Sequence, residues 1–121
     1  MIKAIAAIAA CLLIAAPAVH ACGTAEVCAD VVSSFSGDVL LDGFALTWDT
    51  DAGDSGLVYQ LWRYTTDPDD REYVTYRAGY ASCQQLGSYS ATDYTTTEWV
   101  YTVEVWTVQD VRLCAVDTVP E

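Results

Sequence analysis

The sequence predicts an all-β protein, a single antiparallel β-sandwich of about seven strands preceded by a signal peptide. Three observations carry this. Apolar residues alternate with polar ones at period two along short runs. Those runs are punctuated by clusters of Gly, Asp, Ser and Pro, and they are rich in Val, Thr, Tyr and Trp, which fit a pleated, half-buried surface. A chain of 121 residues makes one small domain. Beyond the leader no ten-residue stretch shows helical periodicity, so a helix-free domain is expected.

Residues 1–21 read as the signal peptide. Lys3 supplies the positive start, Ala4 to Ala16 is unbroken apolar chain, and Ala18-Val19-His20-Ala21 follows Pro17 as a small-residue cleavage site. The apolar run is too short for the roughly 20 residues that span a bilayer, and no second candidate follows. Cleavage leaves a domain of residues 22–121 in a secreted or periplasmic compartment. Val19-His20-Ala21-Cys22 also loosely resembles a lipobox, but His20 fits it poorly. Lipid attachment at Cys22 would also strand an odd thiol among Cys22, Cys28, Cys83 and Cys114, which otherwise suffice for two disulfides. The favoured pairing joins Cys28 to Cys114 or to Cys83, with Cys22 taking whichever remains.

The strands follow in order. Ala29 to Phe35 and Val39 to Leu41 open the domain. Phe44, Leu46 and Trp48 share the inward face of the next strand, and Asp49 to Gly56 forms a loop. Leu57 to Thr65 turns Leu57, Tyr59 and Leu61 inward and Val58, Gln60, Trp62 and Tyr64 outward. Asp67-Pro68-Asp69-Asp70 ends it. Tyr73 to Arg77, Leu86 to Tyr94 and Trp99 to Val108 are the next strands, Gln109-Asp110 is a two-residue hairpin turn, and Val111 leads the last strand towards Val119.

Two stretches carry a family resemblance. Phe44-Ala45-Leu46-Thr47-Trp48, an Asp/Gly loop and Tyr59-Gln60-Leu61-Trp62-Arg63 resemble strands B and C of a fibronectin type III domain. Ala91-Thr92-Asp93-Tyr94 followed by Tyr101-Thr102-Val103-Glu104-Val105 is similar to strands E and F, with Tyr101 near the tyrosine-corner position. The resemblance spans roughly residues 39–119 and implies an immunoglobulin/fibronectin III-like scaffold, without implying any common chemistry. The sequence departs from the family in lacking the N-terminal proline segment and in its cysteines.

Composition excludes more than it suggests. The net charge is −12, from seventeen acids against five bases. The only Lys and the only His (Lys3 and His20) fall in the leader, leaving Arg63, Arg71, Arg77 and Arg112 as the domain's side-chain cations. Four scattered arginines among so many carboxylates repel a phosphate backbone, so nucleic acid is not an expected partner. Without Lys or His there is no base for a serine or cysteine nucleophile, and Gly53-Asp54-Ser55-Gly56 is a protease-like string by chance. A paired-carboxylate hydrolase needs a cleft that a 100-residue sandwich rarely encloses. No enzyme activity and no cofactor are expected. Calcium is the one metal weighed, at Asp49, Asp51 and Asp54, whose D-x-D opening then departs from an EF-hand loop. A solvated acidic turn is the better account.

What remains is a surface. Fourteen aromatic residues exceed what one small core needs. Strand parity turns Trp62, Tyr64 and Trp106 outward on neighbouring strands, with Tyr73 or Tyr76 beside them, as a candidate binding patch. The competing arrangement has these rings and Arg63 or Arg77 covering one another. The expected function is a secreted, non-enzymatic binding or adhesion module for a protein or carbohydrate ligand, acting through an exposed sheet face or loops. The alternative is a small acidic inhibitor or effector of a basic protein target.

Overall fold

A computed structural model describes residues 23–84 and 86–121. The signal peptide expected at residues 1–21, and Cys22, lie outside the described residues. One short helix, α1 (Thr24–Ser34), precedes seven strands: β1 (Ser36–Val39), β2 (Phe44–Thr50), β3 (Leu57–Tyr64), β4 (Glu72–Ala78), β5 (Gly87–Asp93), β6 (Val100–Thr107) and β7 (Arg112–Thr118). They form two antiparallel sheets, ordered β1-β2-β5 and β4-β3-β6-β7. The architecture is a seven-stranded sandwich compatible with the immunoglobulin/fibronectin III-like class.

The parity expected of the central strands holds. Phe44, Leu46 and Trp48 from β2 and Tyr89 and Ala91 from β5 meet Leu57, Tyr59 and Leu61 from β3 and Tyr101, Val103 and Val105 from β6, all buried between the sheets. Aromatic rings dominate one end of this core. Trp48 stacks on Tyr89 at 5.8 Å and meets Tyr59 edge-on at 5.7 Å.

The opening of the domain differs from expectation. Ala29 to Phe35 is no strand: residues 24–34 form α1, and the strand predicted at Val39 to Leu41 lies earlier, at Ser36–Val39, with Leu40 and Leu41 in the turn beyond it. The physical reason is in the spacing. Val27, Val31 and Phe35 recur every four residues and are all buried, which is one face of a helix. The β-branched pair Val31-Val32 mimics a strand locally, yet Val32 is exposed. Gly23 at φ 60° starts the helix, and Phe35, already extended, ends it.

The helix closes one flank of the sandwich. The Ser34 hydroxyl donates to the Asp49 carbonyl and accepts from the Asp49 amide, both at 2.9 Å, and Asp30 accepts from the Thr50 hydroxyl and the Asp51 amide. These bonds fix α1 to β2 of one sheet. A Cys28–Cys114 disulfide fixes it to β7 of the other, across a sequence separation of 86. Cys83 is disulfide-bonded as well.

The last hairpin is one residue longer than the expected Gln109-Asp110 turn. The Thr107 amide bonds to the Val111 carbonyl, and the Asp110 amide bonds back to the Thr107 carbonyl. Asp110 takes the left-handed conformation at φ 65°. A turn closed by a left-handed residue builds a three-residue loop, and the register shift between Val105 and Trp106 accompanies it.

Because the Cys28–Cys114 bridge closes a long loop and is α1's covalent tie to the sheet edge, Cys28→Ser with Cys114→Ser should lower stability by about 3 kcal/mol. Denaturant unfolding of the oxidised protein against the double variant measures this, and a change under about 1 kcal/mol would contradict it.

Candidate functional site on the outer sheet face

Strand β3 sends Gln60, Trp62 and Tyr64 to the outer face of the four-stranded sheet, and β6 sends Thr102, Glu104 and Trp106 to the same face. The register pairs Val58 with Trp106, Gln60 with Glu104 and Trp62 with Thr102. Trp62, Tyr64 and Trp106 therefore share a face, as parity predicts, but the two indoles stand at opposite ends of this ladder. They do not form one flat patch. Each indole N–H turns to its own strand, Trp62 Nε1 donating to Gln60 Oε1 at 3.1 Å and Trp106 Nε1 to Glu104 Oε1 at 3.0 Å.

Polar groups complete the surface. Arg71, just before β4, reaches back so that its guanidinium lies 4.0 Å over the Trp62 ring and pairs with Glu104 Oε2. Arg112 of β7 reaches the same oxygen at 3.1 Å. Tyr73 meets the Trp62 ring edge-on at 5.3 Å. Asp117 accepts from the Tyr64 hydroxyl at 2.6 Å and from the Thr102 hydroxyl. The guanidinium that covers Trp62 is Arg71, not Arg63 or Arg77.

Glu104 is the residue that sequence reasoning missed. Parity placed it outward, which is correct, and hence in water, which is not: its side chain is 1% exposed. A lone acid between Val103 and Val105, two positions before a tryptophan, is the signal that it sits beneath larger side chains. Between Tyr64, Arg71, Thr102, Glu104, Arg112 and Asp117 lies a concavity of about 390 Å³, with Pro68, Asp69 and Ala115 completing its wall. A second concavity of about 390 Å³ is lined largely by apolar side chains such as Leu40, Leu41, Phe44 and Trp99.

The acidic loop is not gathered around a common point. Asp54 is fully buried, and its carboxylate accepts from the Tyr59 hydroxyl at 2.7 Å, the Tyr89 hydroxyl and the Tyr80 amide at 2.9 Å. Asp49 and Asp51 are exposed, beside Asp30, Ser33 and Ser34. Among the described residues, no three His, Cys, Asp or Glu side chains are grouped to hold a metal ion.

At the opposite end, Asp93 accepts from the Tyr101 hydroxyl and from Arg63, each at 2.6 Å, while Arg63 lies 4.3 Å over the Trp99 ring and pairs with Glu72. Burial raises the Tyr59, Tyr89 and Tyr101 hydroxyls well above the ordinary tyrosine range, and hydrogen bonds to Asp54 or Asp93 raise them further.

No family model matches this chain, and neither a curated protein nor a solved structure shows significant similarity to it.

Two outcomes follow from these buried groups. The folded protein keeps protons on Tyr59, Tyr89 and Tyr101 that the unfolded chain gives up near pH 10, so stability is full below that pH and falls as pH rises past it. In an alkaline titration these three should ionise only in step with the loss of folded-state circular dichroism; tyrosinate forming at all eight tyrosines while the fold persists would contradict this. The Glu104 cluster should respond asymmetrically. Arg71→Ala strands a buried carboxylate with Arg112 alone and should cost about 3 kcal/mol. Glu104→Gln leaves guanidiniums whose side chains are 29% and 53% exposed and can turn to water, so it should cost only about 1 kcal/mol. Chemical denaturation of the two variants tests that order.

Proposed function

We propose that this chain is a secreted, non-enzymatic binding module on a fibronectin III-like scaffold, and that its recognition surface is the outer face of the four-stranded sheet. Three features support the scaffold. The strand order splits three and four, β4 joins β3 instead of β5, and the buried Tyr101 ties the start of β6 back to Asp93, in the manner of a tyrosine corner that here uses a carboxylate. The disulfides suit an oxidising compartment. Among the described residues no helix is long and apolar enough to cross a membrane.

The single observation that carries the functional reading is the concavity over Glu104. A fully buried carboxylate, two guanidiniums that converge on it and the Tyr64 ring at its margin make a preorganised polar surface, where a purely structural sheet needs only alternating short polar side chains. The described residues leave Arg71 and Arg112 with N–H groups beyond those given to Glu104, and Asp69 and Asp117 with acceptor capacity.

An array of secreted proteins and glycans probed with the mature chain tests this. Ala115→Trp fills the concavity from β7 and should abolish the specific signal, whereas Thr92→Trp, on the exposed face of the other sheet, should preserve it. The reverse pattern, or equal loss in both folded variants, would remove the outer face as the site.

A further inference from the structure

We infer that the concavity over Glu104 recognises a neutral, hydroxyl-rich ligand, a carbohydrate, held by Arg71, Arg112, Asp69 and Asp117 against the ring of Tyr64. This rests on the outer face being the recognition surface and names what that surface takes. The argument begins from charge. The lining carries Arg71 and Arg112 against Asp69, Glu104 and Asp117, so both signs alternate around the space. An anion would meet two carboxylates at the wall, on a chain of net charge −12, and the guanidiniums it needs are already paired with Glu104. A cation would meet the same guanidiniums over the floor.

A hydroxyl avoids both penalties because it donates and accepts at once. Adjacent hydroxyls on a sugar ring match the spacing of a guanidinium fork on one side and of a carboxylate on the other. Asp117 is positioned for that work. Its two oxygens each take one hydrogen bond, from Tyr64 and from Thr102, which orients the carboxylate and leaves lone pairs on both oxygens. Glu104 does not itself contact the ligand in this arrangement. It is a positioning residue, holding two long arginine side chains that would otherwise sample many rotamers, so less conformational entropy is lost on binding.

The apolar requirement is met at the margin. Pyranose rings present C–H faces, and Tyr64 and Pro68 line one side of the space. Trp62 lies under Arg71 and outside the lining, so the ring that a sugar meets is Tyr64. A volume of about 390 Å³ falls at the small end of ligand sites, which suits one or two sugar units and not a long chain.

The test uses the mature, oxidised protein and a panel of neutral mono- and disaccharides covering the common hexoses, pentoses and N-acetylhexosamines, with glucuronate and glucosamine as charged counterparts. Ligand-observed NMR and indole fluorescence read binding. The expected result is saturable millimolar binding of at least one neutral sugar, weaker binding of its charged counterparts, and loss of affinity by about tenfold or more in Ala115→Trp. Asp117→Asn, which keeps the shape, should weaken binding by a similar factor, while Thr92→Trp should not. Thermal melts confirm that each variant is folded. No saturable binding across the panel, preference for a charged counterpart, or binding indifferent to Ala115→Trp would overturn the inference. If sugars fail while Ala115→Trp still removes the array signal, the ligand class is wrong and the outer face stands; if Ala115→Trp changes neither, both fall.

Discussion

The carboxylate of Asp54, buried between the sheets, is the interaction on which one end of this sandwich depends. It sits in the connection before β3 and accepts from Tyr59 on β3 and Tyr89 on β5, so a single group joins the two sheets. An ionised carboxylate without partners would be too costly to bury. Hydroxyl and amide donors make the burial tenable, and the Trp48, Tyr59 and Tyr89 rings exclude water around them. Asp93 does the same at the other end, from β5 to Arg63 on β3 and Tyr101 on β6. The sandwich is therefore clamped at both ends by an aspartate meeting a tyrosine, with an aliphatic middle of Leu46, Leu61 and Val103 between.

This device follows from composition. With no Lys or His among the described residues, every buried acid must find Tyr, Thr, Arg or a backbone amide. Three of the four arginines pair with acids, Arg63 with Asp93 and Glu72 and both Arg71 and Arg112 with Glu104, while Arg77 donates to the Ser90 carbonyl and ties the β4 edge to β5. The consequence for the surface is direct. Exposed carboxylates such as Asp38, Asp42, Asp67, Asp70 and Glu98 carry much of the chain's charge, while positive and negative groups meet at the Glu104 concavity and at the Arg63 cluster with Asp93 and Glu72.

The sheets were legible because period two is a strong signal when one face is buried: a slip of one residue along β3 would exchange Leu61 for Trp62 in the core. The helix was not, since Val31-Val32 carries strand propensity and the competing signal, Val27, Val31 and Phe35 four apart, is only three residues long. Trp62, Tyr64 and Trp106 were placed on the correct face, but parity says nothing of how far apart two outward residues lie along the strands. That distance depends on register, which sets Trp106 opposite Val58. Glu104 was invisible for a related reason. Its burial comes from Arg71, a side chain of a loop residue some thirty positions away, and no local pattern encodes where an arginine from a loop will fold back.

Arg71 is accordingly the residue where the packing of the sheet and the proposed recognition surface meet. Its guanidinium covers the Trp62 ring and pairs with Glu104 at once, so one side chain, just after the exposed acidic loop 65–70, both shields the ring and meets the acid alongside Arg112 and the Trp106 N–H. Were the face purely structural, an aliphatic pair at positions 62 and 104 would do as well, with no desolvated charge to offset. Retaining a buried carboxylate with two cations and two indoles has a physical rationale when donors must be held at fixed positions on an otherwise flat sheet. The same loop supplies Pro68 and Asp69 to the rim, so its short Asp67–Asp70 turn, closed by the Asp70 amide on the Asp67 carbonyl, sets how deep the concavity is. The shape of this face thus depends on a loop next to which the Arg71–Glu104 pair is anchored.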